Sequence, residues 1–382
     1  MRKNYLTYGA PKISQDEIDE VVASLKSGWI GTGPKVHKFE EQFKEYCGAK
    51  HAIAVSSCTA GLHLSLIVMG IKPGDEVIVP SMTFSATANS VVHVGARPIL
   101  VDVDPYKMTI DPDSIRKHIT PKTKAIIPVH FAGRACDIES ISQIAREHNL
   151  KIIHDAAHAI ETEYHGKRIG SFADITSYSF YVTKNITTAE GGMVTTDDDD
   201  IAAMIKIYAL HGMSKDAWMR FSDNGYKHYQ VLYPGYKYNM TDIQASLGTK
   251  QFEKIELYSK RRREIWEQYK SELQDLPIIL PQDEAPDTRH AFHLYTLLVD
   301  QKKTDITRDM LLTKLHQQNI GTGVHYIALH LQPYYQAAFG YKRNDLPNSE
   351  FISDRTLSIP LSANLTDEDV QDVISALKYV LG

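Results

Sequence analysis

Between residues 47 and 193, short runs of apolar and β-branched residues alternate with longer stretches of helical periodicity. This alternation is typical of βαβ units, in which a helix connects parallel strands of one sheet. Open sheets of this kind bind ligands at the carboxyl ends of their strands, where several of these runs place a polar or small residue. The pattern predicts seven strands, at residues 52–55, 76–79, 98–101, 125–129, 151–154, 175–180 and 193–196.

The rest of the chain indicates a second, smaller unit. Periodicity fades at residues 208–238, an aromatic and glycine-containing segment that is too long for a simple connector. A helical pattern resumes over residues 241–269, and strand-like runs follow at residues 293–299 and 323–326. We therefore predict an α/β fold, with a mainly parallel seven-stranded sheet in a large domain at residues 1–250 and a smaller α+β domain at residues 251–382.

Composition excludes several classes of protein. With 42 Lys and Arg against 47 Asp and Glu, the net charge of −5 gives no electrostatic reason to bind nucleic acid. The 3 cysteines are odd in number and widely spaced, which argues against a disulfide framework and favours a reducing compartment. No stretch reaches about 18 apolar residues, and the N-terminus turns polar too early for a signal peptide. We expect a cytoplasmic protein with neither nucleic acid nor membrane as a partner.

Asp155 and Lys184 are the most informative pair, because each follows a strand whose apolar composition indicates burial. A buried ammonium shifts toward the neutral amine, the form that attacks a carbonyl and makes a Schiff base. In pyridoxal phosphate (PLP) chemistry, a carboxylate keeps the pyridine nitrogen protonated so that the ring withdraws electrons from the substrate. Alone, such an aspartate is often a helix cap and such a lysine is usually solvated, so the hypothesis rests on the combination.

Other residues suit the same cofactor. A phosphate needs N–H and hydroxyl donors at a helix N-terminus, and the small residues 56–61 lie between the first strand and the next helix. Ser179 offers a further hydroxyl. The ring of Phe84 could stack on a flat cofactor, although core packing is the simpler explanation, and His158 could contact the cofactor or be an ordinary loop histidine.

A metal site is not expected. The HxxxH spacing of His154 and His158 lacks the glutamate of an HExxH motif and straddles a strand end. The four aspartates at residues 197–200 are explained most simply as a solvated turn before a helix N-terminus.

Five segments resemble, in order, the signature blocks of the PLP-dependent nucleotide-sugar aminotransferases of the DegT/DnrJ/StrS family. They are SSCTAGLHLSL, PSMTFSATAN, HDAAHA, SFYVTKNITTAEGG and GYKYNMTDIQASLG. The resemblance runs from SGWIGTGPKVHKFE near residue 30 to GTGVHY at residues 321–326. It implies the type I PLP-dependent aminotransferase fold and a homodimer with shared active sites. The chain looks most like the UDP-4-keto-sugar 4-aminotransferases.

By this resemblance, Lys184 forms the Schiff base and then carries protons, while Asp155 pairs with the pyridine nitrogen. His158 would support the ring oxygen, and Phe84 would cover one face of the ring. The expected phosphate ligands are Cys58, Thr59 and Ser179, with Asn239 reaching into the phosphate site of the neighbouring subunit. An ordinary turn asparagine is the alternative for Asn239.

Three positions depart from the commonest family pattern. Tyr181 stands where many relatives have His, Ala189 where many have Gly, and Cys58 where Gly or Ala is more common. None of these changes removes a required chemical group, provided that residue 58 binds through its backbone. The presence of Lys184 argues against the branch of the family that has histidine there and removes a sugar hydroxyl.

The resemblance implies a two-step transamination, in which L-glutamate aminates the cofactor and the cofactor then aminates a keto group of a nucleotide-linked sugar. The blocks HGMSKDAW and VLYPGYKYN favour a UDP-linked 4-keto sugar, with a dTDP-linked or 3-keto sugar as the alternative. A PLP-binding regulator without turnover is the alternative from another class. Loops at residues 29–35, 211–220 and 227–237 are expected to contact the pyrophosphate. The expected substrate-binding residues are Trp29, Gly31, Thr32, His325 and Tyr326; for His325 a structural role is equally acceptable.

Overall fold

The computed structural model describes residues 2–214 and 228–382. Its strands are β1 (His51–Val55), β2 (Glu76–Pro80), β3 (Arg97–Val101), β4 (Thr123–Ile126), β5 (Lys151–Asp155), β6 (Glu163–Tyr164), β7 (Lys167–Arg168), β8 (Ile175–Ser179), β9 (Gly192–Thr196), β10 (Ile278–Ile279), β11 (Thr288–Arg289), β12 (Tyr295–Val299) and β13 (Thr356–Ile359). Its α-helices are α1 (Gln15–Ser27), α2 (Pro34–Cys47), α3 (Cys58–Val68), α4 (Ser85–His93), α5 (Pro112–His118), α6 (Ile138–His148), α7 (Asp199–Ala209), α8 (Asp242–Phe252), α9 (Ile255–Leu273), α10 (Arg308–Gln317), α11 (Pro333–Phe339), α12 (Pro347–Ser353) and α13 (Asp367–Leu381).

The main sheet has seven strands in the order β1-β9-β8-β5-β4-β2-β3. Strand β9 is antiparallel to β1 and β8, and the other pairings are parallel. The predicted α/β fold and its mainly parallel seven-stranded sheet are therefore confirmed. Both predicted bounds of β4 are wrong, since the strand spans Thr123–Ile126 rather than residues 125–129. Pro128 has no N–H to donate and interrupts the pairing, after which Val129 makes a single bridge to Asp155.

Helices cover both faces of this sheet, and β2 shows why. Val77 and Val79 point to one face and share a core cluster with Leu62 of α3. Ile78 points to the opposite face and clusters with Ile141 of α6. Successive strand side chains alternate between faces, so an apolar run without polar positions must be buried on both sides. Only the strand ends of such a sheet remain available for ligands.

A second sheet forms near the C-terminus, with the order β10-β12-β13 and antiparallel pairing. The predicted strand at residues 293–299 is present as β12. The predicted strand at residues 323–326 is wrong, since Gly323 makes a single bridge to Ser358 and pairing stops there. The side chains of His325 and Tyr326 instead face the cavity described below. The division into domains at residue 250 stays a prediction; this position lies inside α8.

The predicted helix over residues 241–269 is two helices, α8 and α9. Lys254 separates them with φ −108° and ψ 4°, outside helical geometry. Its Nζ lies 2.7 Å from Asp16 and 2.9 Å from Glu17, both in the first turn of α1. The break lets the lysine reach two carboxylates.

Across residues 2–214 and 228–382, none of the helices combines the length and apolar character needed to cross a lipid bilayer. The three cysteines, Cys47, Cys58 and Cys136, are buried and unbridged.

The turn before β9 holds a non-glycine residue in left-handed backbone geometry, because Ala189 has φ +67°. A side chain in this region costs about 1 kcal/mol, which glycine avoids. We expect Ala189→Gly to raise the free energy of unfolding by about 0.5–1 kcal/mol, measured by urea denaturation. The matched control is Ala337→Gly on the exposed side of α11, which should lower it by about 1 kcal/mol. Equal losses in both variants would contradict the argument.

Candidate active site

One cavity of about 520 Å³ opens where the carboxyl ends of β5 and β8 meet the N-termini of α3 and α4. It brings together most of the site residues expected from sequence, although they are spread over more than two thirds of the chain. Those that line it are Cys58, Thr59, Phe84, Asp155, His158, Ser179, Lys184, His325 and Tyr326. Tyr181 also lines the cavity and is 45% exposed.

Asp155 is the last residue of β5 and is 5% exposed. Its Oδ2 accepts a hydrogen bond from Thr87 Oγ1 at 2.8 Å, and its Oδ1 accepts one from the N–H of Ala157 at 3.1 Å. Burial raises the pKa of this carboxyl, and these donors and the positive charge of Lys184 oppose the shift. The carboxylate is thus held in one orientation at the cavity wall.

Lys184 follows β8 by five residues and lines the same cavity. Loss of hydration lowers the pKa of its amine from 10.5 to about 8, although the negative charge of Asp155 acts in the opposite direction. At a pH near this value, about half of the amine is neutral and able to attack a carbonyl. The structure therefore places Lys184 and Asp155 in the wall of one cavity, while their roles stay a prediction.

The N-terminus of α3 forms a cradle for an anion. Ser57 caps the helix by accepting the N–H of Ala60 at 3.0 Å, and among the described residues the N–H groups of Cys58 and Thr59 have no hydrogen-bond partner. A Cβ on Gly192 would lie 2.6 Å from the Cys58 nitrogen, so glycine is needed for this turn to pack against β9. Free N–H groups at a helix N-terminus suit a phosphate.

The Cys58 side chain points away from this cradle. Its Sγ lies 3.4 Å from Ser177 Oγ and 3.8 Å from Asp155 Oδ1. Burial raises the pKa of the thiol well above its usual value. The thiol therefore packs as a neutral group, and residue 58 offers only its backbone to an anion.

The protonation of His158 is fixed by its neighbours. Its Nδ1 accepts the N–H of Ala132 at 3.2 Å, and burial lowers its pKa well below the usual value. The neutral ring must then carry its proton on Nε2, which donates to the oxygen of Tyr326 at 3.2 Å. His158 is thus a neutral donor at the cavity wall, and its contact with a cofactor stays a prediction.

Phe84 precedes α4 and is 61% exposed, with its ring 6.0 Å from that of Tyr326. Its ring borders the cavity and does not belong to the core, so the core-packing explanation is wrong. His325 also borders the cavity, where its Nδ1 is 2.9 Å from Ser358 Oγ and burial lowers its pKa to about 4.

Four of the expected residues do not line this cavity. Asn239 Nδ2 donates to Thr32 Oγ1 at 2.6 Å, and Asn239 Oδ1 is buried without a partner among the described residues. The carbonyl of Gly31 accepts the N–H of Asp242 at 2.7 Å, and Trp29 is 50% exposed. These residues form a separate group beside α8. In the loops expected at residues 211–220 and 227–237, positions 215–227 lie outside the described residues.

A buried network behind the cavity was not predicted from the sequence. Arg262 pairs with Glu161, whose Oε2 accepts from Asn185 Nδ2 at 2.6 Å. Asn185 Oδ1 in turn accepts from His293 Nδ1 at 2.9 Å, and the ring of His293 lies 4.4 Å from that of His158. Asn185 follows Lys184 directly, which was a usable signal, whereas the other members come from distant parts of the chain.

Comparison with known proteins identifies the family. The model of the DegT/DnrJ/EryC1/StrS aminotransferase family matches residues 11–378. The chain belongs to this family. It is 48% identical over 381 residues to the spore coat polysaccharide biosynthesis protein SpsC of Bacillus subtilis (strain 168), covering 100% of this chain and 98% of SpsC.

Solved structures agree with this membership. Spr1654 of Streptococcus pneumoniae, assigned as a sugar aminotransferase, is 33% identical in its PLP form, with a TM-score of 0.90 and coverage of 99% of this chain and 100% of Spr1654. Helicobacter pylori PseC, an aminotransferase involved in the biosynthesis of pseudoaminic acid, is 29% identical, with a TM-score of 0.91 and coverage of 99% of both chains. The chain is therefore a PLP-dependent aminotransferase with the type I fold. An activated amine, a buried carboxylate and an N–H cradle in one cavity suit that cofactor.

Burial keeps several histidines near the cavity neutral. It lowers the pKa of each below its usual value, to about 4 for His154 and His325. The rings of His154 and His130 lie 4.6 Å apart, and His154 Nδ1 is buried without a partner among the described residues. Unfolding would expose these rings to water, where they titrate near pH 6.5.

We expect the free energy of unfolding of the apoprotein to fall as the pH is lowered from about 6.5 to 4, because the unfolded chain binds more protons in this range. Urea denaturation at a series of pH values measures the slope. Replacing His154 by Leu should reduce the slope, whereas His148→Gln, on the exposed surface of α6, should leave it unchanged. Equal slopes in the two variants would show that burial of His154 is not a source of the dependence.

Proposed function

We propose that this enzyme transfers the amino group of L-glutamate to the keto group at carbon 4 of a UDP-linked sugar. The observation on which the proposal rests is the placement of Lys184 and Asp155 in one cavity, with burial lowering the pKa of the amine to about 8. A sugar as acceptor is supported by the assignment of Spr1654 as a sugar aminotransferase and by the polysaccharide role named for SpsC.

Each side chain has a defined task in this proposal. Bound PLP supplies an electron sink for the carbanion that forms when the amino donor loses its α-proton. The neutral amine of Lys184 would hold the cofactor through its carbonyl carbon and, when the donor releases it, would carry a proton to and from the donor α-carbon. Asp155 keeps a proton on the pyridine nitrogen. When the cofactor is bound, the Nε2–H of His158 would turn from the oxygen of Tyr326 to the ring oxygen, and the ring of Phe84 would cover one face.

The phosphate is assigned to the N-terminus of α3. The N–H groups of Cys58 and Thr59 would donate to it, together with the hydroxyls of Thr59 and Ser179. Ser179 lies at the end of β8 and lines the cavity beside α3.

The proposal also specifies UDP as the nucleotide and carbon 4 as the position of the keto group. They are supported by the segments HGMSKDAW and VLYPGYKYN and by the position of His325 and Tyr326 at the cavity wall. A dTDP-linked or 3-keto sugar is the alternative. We also propose a cytoplasmic location, which suits three buried, unbridged cysteines.

We propose further that the enzyme is a homodimer with shared active sites. Adjacent apolar side chains at Val231 and Leu232 are 66% and 47% exposed, and Trp29 and Ile30 are each 50% exposed. Exposed apolar residues in such groups are typical of protein interfaces. Asn239, whose buried Oδ1 lacks a partner among the described residues, would then serve the cavity of the partner subunit.

With glutamate and a UDP-4-keto sugar, the wild-type enzyme should form an amino sugar, detected by product mass. Lys184→Ala should lower kcat by at least about 10⁴-fold, because both the nucleophile and the proton carrier are lost. Lys107→Ala, at an exposed lysine outside the cavity, is the matched control. Turnover of only dTDP-linked or 3-keto sugars would support the alternative, and PLP binding without any turnover would support a regulator.

Whether Asn239 acts across a dimer can be tested by mixing two variants that are each expected to be inactive, Lys184→Ala and Asn239→Ala. If it does, hybrids of Lys184→Ala and Asn239→Ala subunits contain one intact site and one doubly altered site. Random mixing should then restore about a quarter of the wild-type activity, since half of the dimers are hybrids. Each variant mixed with itself is the control. No recovery, although mass measurement shows that hybrids form, would contradict action in trans.

A further inference from the structure

The buried carboxylate of Asp155 is the end of a chain of hydroxyl groups. Thr83 Oγ1 and Thr87 Oγ1 are 2.8 Å apart, and Thr87 Oγ1 is 2.8 Å from Asp155 Oδ2. Thr83 is 2% exposed and Thr87 is 0% exposed, so water does not compete for these contacts. Neither threonine is among the residues expected to contact the cofactor or the substrate.

The carboxylate of Asp155 determines which hydroxyl donates and which accepts in this series of hydrogen bonds. An ionised carboxylate only accepts hydrogen bonds, so the hydroxyl hydrogen of Thr87 must point at Asp155. The oxygen of Thr87 is then free to accept the hydroxyl hydrogen of Thr83. Hydrogen bonds arranged head to tail polarise one another, and this strengthens the donor at the carboxylate.

This use of Thr87 is not the ordinary one for a threonine in a helix. Threonine hydroxyls in helices usually bond to a backbone carbonyl one turn earlier, which satisfies them locally. Thr87 lies in the first turn of α4, yet its hydroxyl bonds to a side chain 68 residues away. The contact therefore joins α4 to the end of β5 and fixes the side chain of Asp155 from one side.

The opposite side of the carboxylate has weaker donors. Its Oδ1 accepts the N–H of Ala157 at 3.1 Å and faces the thiol of Cys58 at 3.8 Å. Each carboxylate oxygen accepts about two hydrogen bonds, so Oδ2 retains capacity for a further donor from the cavity. Because burial disfavours the charged form of Asp155, removal of its closest hydroxyl donor should weaken that charge.

We infer that Thr87, with Thr83 behind it, is a positioning residue that keeps Asp155 ionised and oriented to hold the proton on the pyridine nitrogen of the cofactor. The inference rests on the proposed role of Asp155. It adds that the first turn of α4, which Phe84 precedes, supplies the hydroxyl that holds Asp155 in position for the ring nitrogen.

The test compares PLP with 1-deaza-PLP, in which the ring nitrogen is replaced by CH and cannot be protonated. The apoprotein is titrated with each compound, and fluorescence quenching gives both dissociation constants. The wild type should prefer PLP. Thr87→Val, which removes the hydroxyl but keeps the shape, should lower this preference about 10-fold, the effect of losing one hydrogen bond to a charged group.

Two further variants separate the hydroxyl effect from a change in packing. Thr87→Ser should keep the preference near the wild-type value, because it retains the donor. Thr83→Val should lower the preference by less than Thr87→Val, since it removes only the supporting hydroxyl. If Thr87→Val does not fold, Thr87→Ala takes its place. A general loss of packing would weaken binding of both compounds equally and leave the preference unchanged.

Asp155→Asn shows which part of the argument fails. If this variant loses the preference for PLP while Thr87→Val keeps it, the role of Thr87 is wrong and that of Asp155 stands. If Asp155→Asn keeps the wild-type preference, the proposed role of Asp155 is itself wrong, and the inference fails with it.

Discussion

The burial of an amine and a carboxylate in one cavity is the constraint on which the rest of the site depends. Each charge alone would be costly to remove from water. Their opposite charges offset part of that cost. The desolvation cost that remains lowers the pKa of the Lys184 amine to about 8, and hydrogen-bond donors stabilise the charged form of Asp155. The parallel sheet makes this possible, because the carboxyl ends of β5 and β8 lie side by side and helices cover both faces.

Much of the fold could be predicted, because buried strands carry a strong signal in sequence. All seven strands of the main sheet follow from β-branched runs, and the errors have local causes. Pro128 interrupts the pairing of β4 with β5, and the bridge between Gly323 and Ser358 does not extend into a strand. A run of residues shows its own preference for the extended conformation. It does not show whether a neighbouring strand extends far enough to pair with it.

The site was predictable to the extent that its residues follow strands. Asp155 and Lys184 stand at such positions, and their meeting follows from parallel topology. Thr87 and Asn185 were missed although they lie inside the segments that suggested the family, because their tasks depend on contacts with residues far along the chain. The group around Asn239 could not be assigned to a site for a different reason. Its proposed role depends on contacts with a second subunit, which the sequence of one chain does not describe.

The pair of Arg262 and Glu161 limits how the protein can move during turnover. Arg262 belongs to α9, and the network that it anchors passes through Asn185, next to the reactive lysine, to His293 near β12. Loss of one partner of a buried ion pair leaves the other charge uncompensated and costs several kcal/mol, on the order of 3–5, so the two residues must stay together while the network is buried. A wide hinge opening between α9 and the main sheet would break this pair together with the hydrogen bonds of Asn185 to Glu161 and His293, beside the reactive lysine. Admission and release of substrate are therefore better suited to rearrangement of surface loops over a rigid frame.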